Sequence, residues 1–240
     1  MNAKGWIIFA VVVVVLLGGL IGLSYANKPK IDLSKVNVNA PIAAQKQNGN
    51  IADHVFGNAK SPVVLIEYGD YQCPYCGEAE PALSQVYTAY QDQIAFVFRN
   101  FPLTTIHPNA LAAAAAAEAA GLQGKYWEMH DQLYGGQQTW ENLSGSARTN
   151  AFVTYAQQIG INTTKFRQDL SNPKLTQKIQ FDEAIGSKLG INATPTMYLN
   201  DKKLGDDVTG DLQSSSTKKL ESALNTELKA HGITPPSSKS

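Results

Sequence analysis

Pro62-Val63-Val64-Leu65-Ile66-Glu67-Tyr68-Gly69-Asp70-Tyr71-Gln72-Cys73-Pro74-Tyr75-Cys76-Gly77 is the stretch that decides the fold. Its first seven residues form a β-branched run behind the turn-like Gly57-Asn58-Ala59-Lys60-Ser61, which predicts a buried central strand. Beyond the cysteines, Leu83, Val86, Tyr87 and Tyr90 recur at helical spacing. Cys73 therefore sits at the mouth of a helix, with Pro74 in the first turn where its missing N–H costs nothing. Ile94 to Phe98 (IAFVF) supplies a second strand and completes a β-α-β unit.

Working outward, the pattern from His107 to Gly190 is helical throughout. Pro108 and Gly121 bracket an alanine-rich helix, Leu111 to Ala120, whose small side chains permit close packing. Further helices are expected at Tyr126 to Tyr134, Ala151 to Ile159, Thr164 to Leu170 and Leu175 to Leu189. Strand character returns at Thr196 to Leu199, with Asn200-Asp201 as a hairpin turn and a second strand near Leu204 to Val208. A last helix, about Thr217 to His231, aligns Leu220, Leu224 and Leu228 on one face. This order implies an α/β fold in which two halves share one mixed sheet, and the helices of about 105–190 form an insertion.

The amino terminus has a different character. Gly5 to Asn27 carries no charge, and Trp6 to Leu23 is almost wholly apolar. As a helix, Trp6 to Tyr25 would span about 30 Å, the thickness of a bilayer's hydrocarbon, whereas a cleaved signal has an apolar stretch of only about 7–15 residues. Residues 1–26 are therefore expected to be one N-terminal transmembrane helix; Ser24-Tyr25-Ala26 leaves cleavage open as the alternative. Lysines flank the segment on both sides, so the positive-inside rule is nearly silent. Residues 27–50 read as a polar linker, 51–232 as one domain, and 233–240, with Pro235-Pro236-Ser237-Ser238, as a disordered tail.

Twenty basic residues balance twenty acidic ones and no Lys/Arg block occurs, which argues against nucleic acid as a partner. Among 240 residues the only thiols are Cys73 and Cys76. A bridge closing so short a loop adds little stability, so the pair suits chemistry better than scaffolding. A tetrahedral zinc site needs four ligands; there is no second cysteine pair, and His54, His107, His130 and His231 show no ligand spacing, so no metal is expected. Free amides and the macrodipole at the helix start favour an anion, which makes Cys73 the thiolate that forms mixed disulfides and Cys76 its resolving partner. A dithiol poised for oxidation is most useful where disulfides persist, outside the cytoplasm. On the residues alone, Pro195 is either a strand-starting proline or something more special. Glu67 is either a buried acid that shuttles a proton or a solvated carboxylate at a strand end.

Over about residues 51–232 the chain resembles the DsbA family of thioredoxin-fold proteins, particularly the membrane-anchored bacterial members. The resemblance rests on Glu67 to Gly77, on Arg99-Asn100-Phe101-Pro102-Leu103 with His107, and on Gly124-Lys125-Tyr126-Trp127-Glu128-Met129-His130. It implies a thioredoxin fold with an inserted helical subdomain and an active-site loop built on Pro74 and Tyr75. Cys73 is then the exposed nucleophile, Glu67 the acid behind the site, and Thr194-Pro195 a cis-proline loop that binds substrate main chain. No cofactor is implied. The implied partners are reduced extracytoplasmic polypeptides and a quinone-linked membrane reoxidase of DsbB-like or VKOR-like type, with the chain a monomer. Pro-Tyr stands between the cysteines where the best-known periplasmic oxidase has Pro-His, which keeps a reductase of extracytoplasmic disulfides as an alternative. A non-catalytic peptide-binding module is a more distant one. Residues 27–50 are too short for the dimerisation domain of related isomerases.

Overall fold

The computed structural model describes Trp6, Phe9, Val12, Val13 and residues 31–237. Two compact units are distinguished, 1–32 and 33–240. Apart from those four residues, the expected membrane anchor lies outside the described residues. Among the described residues, no helix is long and apolar enough to cross a membrane.

The second unit is built on a five-stranded sheet in the order β1-β3-β2-β4-β5. Its strands are β1 Val55–Gly57, β2 Val64–Gly69, β3 Ala95–Asn100, β4 Thr196–Leu199 and β5 Lys202–Lys203. Every residue of β2 and β3 is buried, as the unbroken apolar runs require of strands covered on both faces. β2 and β3 are parallel, joined by helix α1, Pro74–Ala89, while β1, β4 and β5 pair antiparallel. Between β3 and β4 run α2 Ala110–Gly121, α3 Tyr126–Gly135, α4 Gln137–Trp140, α5 Gly145–Gln158, α6 Thr163–Asp169 and α7 Pro173–Lys188. The chain ends with α8 Asp206–Gln213 and α9 Lys218–Ala230.

Two apolar cores result. One gathers Leu65, Leu83, Val86 and Phe96 with Leu212, Leu220, Leu224 and Leu228, so α1, α8 and α9 are held against the sheet. The other belongs to the insertion and packs Phe98 with the alanines of α2, Met129, Trp140, Phe152, Phe166 and Ile179. Alanine in α2 is what lets neighbouring helices approach so closely.

Three expectations are corrected. The strand placed at Leu204 to Val208 is Lys202–Lys203, and the chain from Asp206 is the helix α8. The positive φ of Asn200 tightens the hairpin turn, and Asp206 and Asp207 in the first turn of α8 favour its helix start. The tail of 233–240 begins with an ordered contact, because Ile233 N–H bonds Leu228 O at 2.9 Å and its side chain packs on the core; 238–240 lie outside the described residues.

The largest correction concerns the expected linker. From Leu33 onward it packs on the domain, with Ile42 and Asn48 buried and a 3-10 turn at Lys46–Asn48. The cause is a buried charge network that composition does not reveal. Arg99, on β3, donates to the carbonyls of Val38 and Ala40, to the Tyr68 hydroxyl and to Asp53. Lys178 of α7 reaches Asp53 at 2.9 Å and Asp182 at 2.6 Å, and Asp53 also accepts from Ile42 N–H. Burial alone would raise the Asp53 pKa, but Lys178 and then Arg99 outweigh it and hold it down to about 2. Removing one partner of such a network strands the others without compensation. Asp53→Ala is therefore expected to lower stability by about 3–5 kcal/mol in urea denaturation and to make the bonds near residues 33–50 sensitive to protease.

Candidate active site

The register of the sheet assembles the site. In the antiparallel β2–β4 pair Tyr68 lies opposite Thr196, so the chain leaving β2 and the chain entering β4 meet at one end of the sheet. The first continues through Asp70 to Cys73, and the second arrives through a cis peptide bond between Thr194 and Pro195. Cys73 Sγ consequently lies 3.4 Å from the Thr194 carbonyl oxygen, to which the thiol donates.

Cys73 is the N-cap of α1 and Pro74 its first helical residue. Asp70 shapes the turn before it, accepting from Gln72 N–H at 2.8 Å, from Leu103 N–H at 2.9 Å, and meeting His107 Nδ1 at 2.7 Å. Gln137, from the insertion, donates to the carbonyls of Tyr71 at 2.7 Å and Cys73 at 2.9 Å. Its amide fills the space a Cβ on Gly77 would occupy. Pro74 and Tyr75 are exposed, Tyr75 by 58%.

Both cysteines are free thiols in this structure, and both are buried. The expectation of an exposed Cys73 is corrected here, since only 3% of the residue is accessible, the Thr194-Pro195 loop lying against its sulfur. The two sulfurs are electrically unlike. The Cys76 thiol donating to it lowers the Cys73 pKa most; the Thr194 side-chain hydroxyl and the amides of Cys76 and Tyr75 add to this, and together they outweigh burial and set it at about 6. Burial pushes Cys76 well above the ordinary thiol range, helped by its bond to Cys73 and by Glu67. At neutral pH the pair is thus one thiolate and one thiol.

Glu67 lies behind them, 1% exposed, with Oε2 lacking a hydrogen-bond partner. Burial raises its pKa well above the carboxylate range, and the charges of Glu80 and Cys73 raise it further. Its carboxyl is in turn one of the groups that favour the protonated form of Cys76. Of the residues singled out from sequence, the structure brings Cys73, Cys76, Glu67, Pro74, Tyr75, Thr194 and Pro195 to this one region. Sequence reasoning missed Asp70, Gln137 and Glu80. Asp70 carries a local signal, an aspartate two residues before a bonded amide, whereas Gln137 and Glu80 act across distances that no spacing encodes.

A family model described as Thioredoxin matches residues 49–224. A solved thioredoxin-like oxidoreductase from Silicibacter pomeroyi is 27% identical, with a TM-score of 0.58 over 78% of this chain and 99% of that one. The structure of alpha-DsbA1 from Wolbachia pipientis is 25% identical, with a TM-score of 0.55 over 70% of this chain and 94% of that one. Among curated proteins, the Na(+)/H(+) antiporter NhaA 1 of Salinispora arenicola is 39% identical over 151 residues, which is 63% of this chain and 22% of the antiporter. The chain thus spans about a fifth of that relative's length. With its family model covering most of the chain and solved neighbours that include a thioredoxin-like oxidoreductase and alpha-DsbA1, the chain belongs to the thioredoxin family.

Proposed function

We propose that this chain oxidises dithiols outside the cytoplasm, passing its Cys73–Cys76 disulfide to reduced secreted or membrane polypeptides. The observation that carries this reading is the split between the two sulfurs, with Cys73 favoured as an anion and Cys76 as a thiol. Stabilising the reduced form in this way makes the oxidised form a better disulfide donor.

The reaction runs through Cys73. A substrate thiolate attacks Cys73 Sγ, the intramolecular S–S bond breaks, and Cys76 leaves with the electron pair. Glu67 supplies the proton that makes Cys76 a thiol. The second substrate thiol loses its proton to solvent, attacks the substrate sulfur of the mixed disulfide, and expels Cys73 as its stabilised thiolate. Two electrons have passed from substrate to chain. Because Cys73 is covered, substrate approaches over Thr194 and the exposed Tyr75, with the backbone at Thr194 offering main-chain recognition that needs little sequence preference.

Reoxidation falls to a quinone-linked membrane protein of DsbB-like or VKOR-like type, and an anchor formed by residues 1–26 would hold the domain beside it. The uncharged run Gly5 to Asn27 supports that location, as does the presence of the matched segment in antiporters.

Equilibration with glutathione tests the direction of electron flow. A potential nearer the roughly −120 mV of DsbA than the roughly −270 mV of thioredoxin is expected, and a Cys76→Ala chain should accumulate mixed disulfides through Cys73. A value at the thioredoxin end would make the chain a reductase instead.

Alkylation of the reduced chain with iodoacetamide should titrate at Cys73 with a midpoint near pH 6. The depressed pKa also stabilises the folded reduced chain above the ordinary thiol value, a contribution lost as pH falls through about 6. The Tm of the reduced chain should therefore rise relative to that of the oxidised chain between about pH 6 and 9, as scanning calorimetry would record. Glu67→Gln, which keeps the shape but removes the exchangeable proton, should slow formation of the mixed disulfide by about a hundredfold or more in quenched-flow trapping.

A further inference from the structure

Behind the redox pair, α1 and α3 bring together three side chains that exchange no proton or electron in the thiol chemistry. Glu80, His130 and Asp131 each offer a ligand atom, and these atoms lie within 4.8 Å of one another. His130 is fully buried and Glu80 is 7% exposed, yet Glu80 Oε2 and His130 Nε2 have no hydrogen-bond partner. Groups like these are costly to bury unless something completes them.

Hydrogen bonds from the surroundings hold both side chains in place. The Tyr71 hydroxyl donates to Tyr126 at 3.3 Å and stands 3.0 Å from His130 Nδ1. With Nδ1 carrying the proton and donating to Tyr71, Nε2 turns a bare lone pair toward Glu80, whose Oε1 is 3.4 Å away. Glu80 Oε1 is steadied by the Tyr87 hydroxyl at 2.9 Å, leaving Oε2 free. In that tautomer two acceptors face each other, and either a proton on Nε2 or a bound cation between them removes the repulsion. Among the described residues, no lysine or arginine forms an ion pair with Glu80 or Asp131. A cleft of about 190 Å³, bordered by Gly77, Glu80, Ser84, Asp131 and Tyr134, opens on the two carboxylates from solvent.

We propose that Glu80, His130 and Asp131 form a site for a divalent transition cation of the zinc class, with water from the cleft in the remaining positions. One imidazole and two carboxylates are the donor set such ions take in open sites, at about 2.0–2.2 Å from the metal. Reaching that distance requires the ligand atoms to close by about 1 Å. Asp131, at the exposed rim, is free to supply the movement, and Tyr71 and Tyr87 act as the outer partners that orient His130 and Glu80. Neither cysteine is a ligand, so the site is separate from the thiol reaction. It adjoins that reaction electrically, because the Glu80 charge is one of those that hold Glu67 protonated.

The test is titration of the full-length oxidised chain with cobalt(II) chloride and, separately, zinc chloride. In that form the disulfide removes both sulfurs from competition. One equivalent of cobalt is expected, with visible d–d absorption of nitrogen and oxygen ligation, displaced by zinc. Asp131→Asn, a surface change, should weaken binding about tenfold or more, and His130→Gln should abolish it. No binding by the wild-type chain, or binding unchanged in Asp131→Asn, overturns the proposal. If His130→Gln loses its circular dichroism spectrum, Asp131→Asn decides alone; if it folds and still binds, the proposal also fails.

Discussion

The register of β2 between β3 and β4 is the constraint on which the site depends. Side chains on a strand alternate with period two, so a slip of one residue would turn Glu67 away from Cys76 and carry Thr194 past Cys73. The register is secured on both sides: β2 matches β3 from Val64 opposite Ala95 to Gly69 opposite Asn100, and β4 from Leu65 opposite Leu199 to Tyr68 opposite Thr196. A second lock comes from Asn200, whose side-chain oxygen accepts from Val64 N–H at 2.8 Å at the far end of the pair. The chemistry at one end of the sheet is thus fixed by hydrogen bonds along its whole length.

Two buried polar groupings sit on this frame, and they differ in how completely they are satisfied. Around Arg99 and Lys178, charges of opposite sign face each other, and carbonyls from the chain before β1 take the remaining donors. That grouping fastens the segment from Leu33 and the helix α7 to β3. Around Glu67, Glu80, His130 and Tyr134, several atoms lack partners, and Glu80 lies close enough to raise the proton affinity of Glu67. Buried polar groups left incomplete in this way are common where protons or ligands are handled, and costly where only packing is at stake. The first grouping thus serves architecture, and the second surrounds the sulfurs.

Much of this was legible from the residues. The run at Val63 to Tyr68 marked the central strand because both its faces are covered, and Pro74 marked a helix start because proline fits only there. The insertion helices followed from apolar periodicity. What stayed hidden depended on partners far apart in sequence: Asp53 and Arg99 are 46 residues apart, Gln137 and Cys73 are 64 apart, and neither pair leaves a periodic trace. Residues 33–50 looked like a linker because their composition is polar, whereas the buried Ile42 and Asn48 and the backbone carbonyls of Val38 and Ala40 hold them to the domain. β5 was misplaced because so short an edge strand has no alternation to read.

Gln137 couples the insertion to the sulfurs more directly than packing alone would. By holding the carbonyls of Tyr71 and Cys73 it works as a brace between a helical lobe and a redox turn. Transplanting Cys73 to Cys76 onto a scaffold lacking that lobe would move the letters without their support. Conversely, anything that docks on the lobe and tilts α4 has a mechanical lever on the reactivity of a sulfur it never touches.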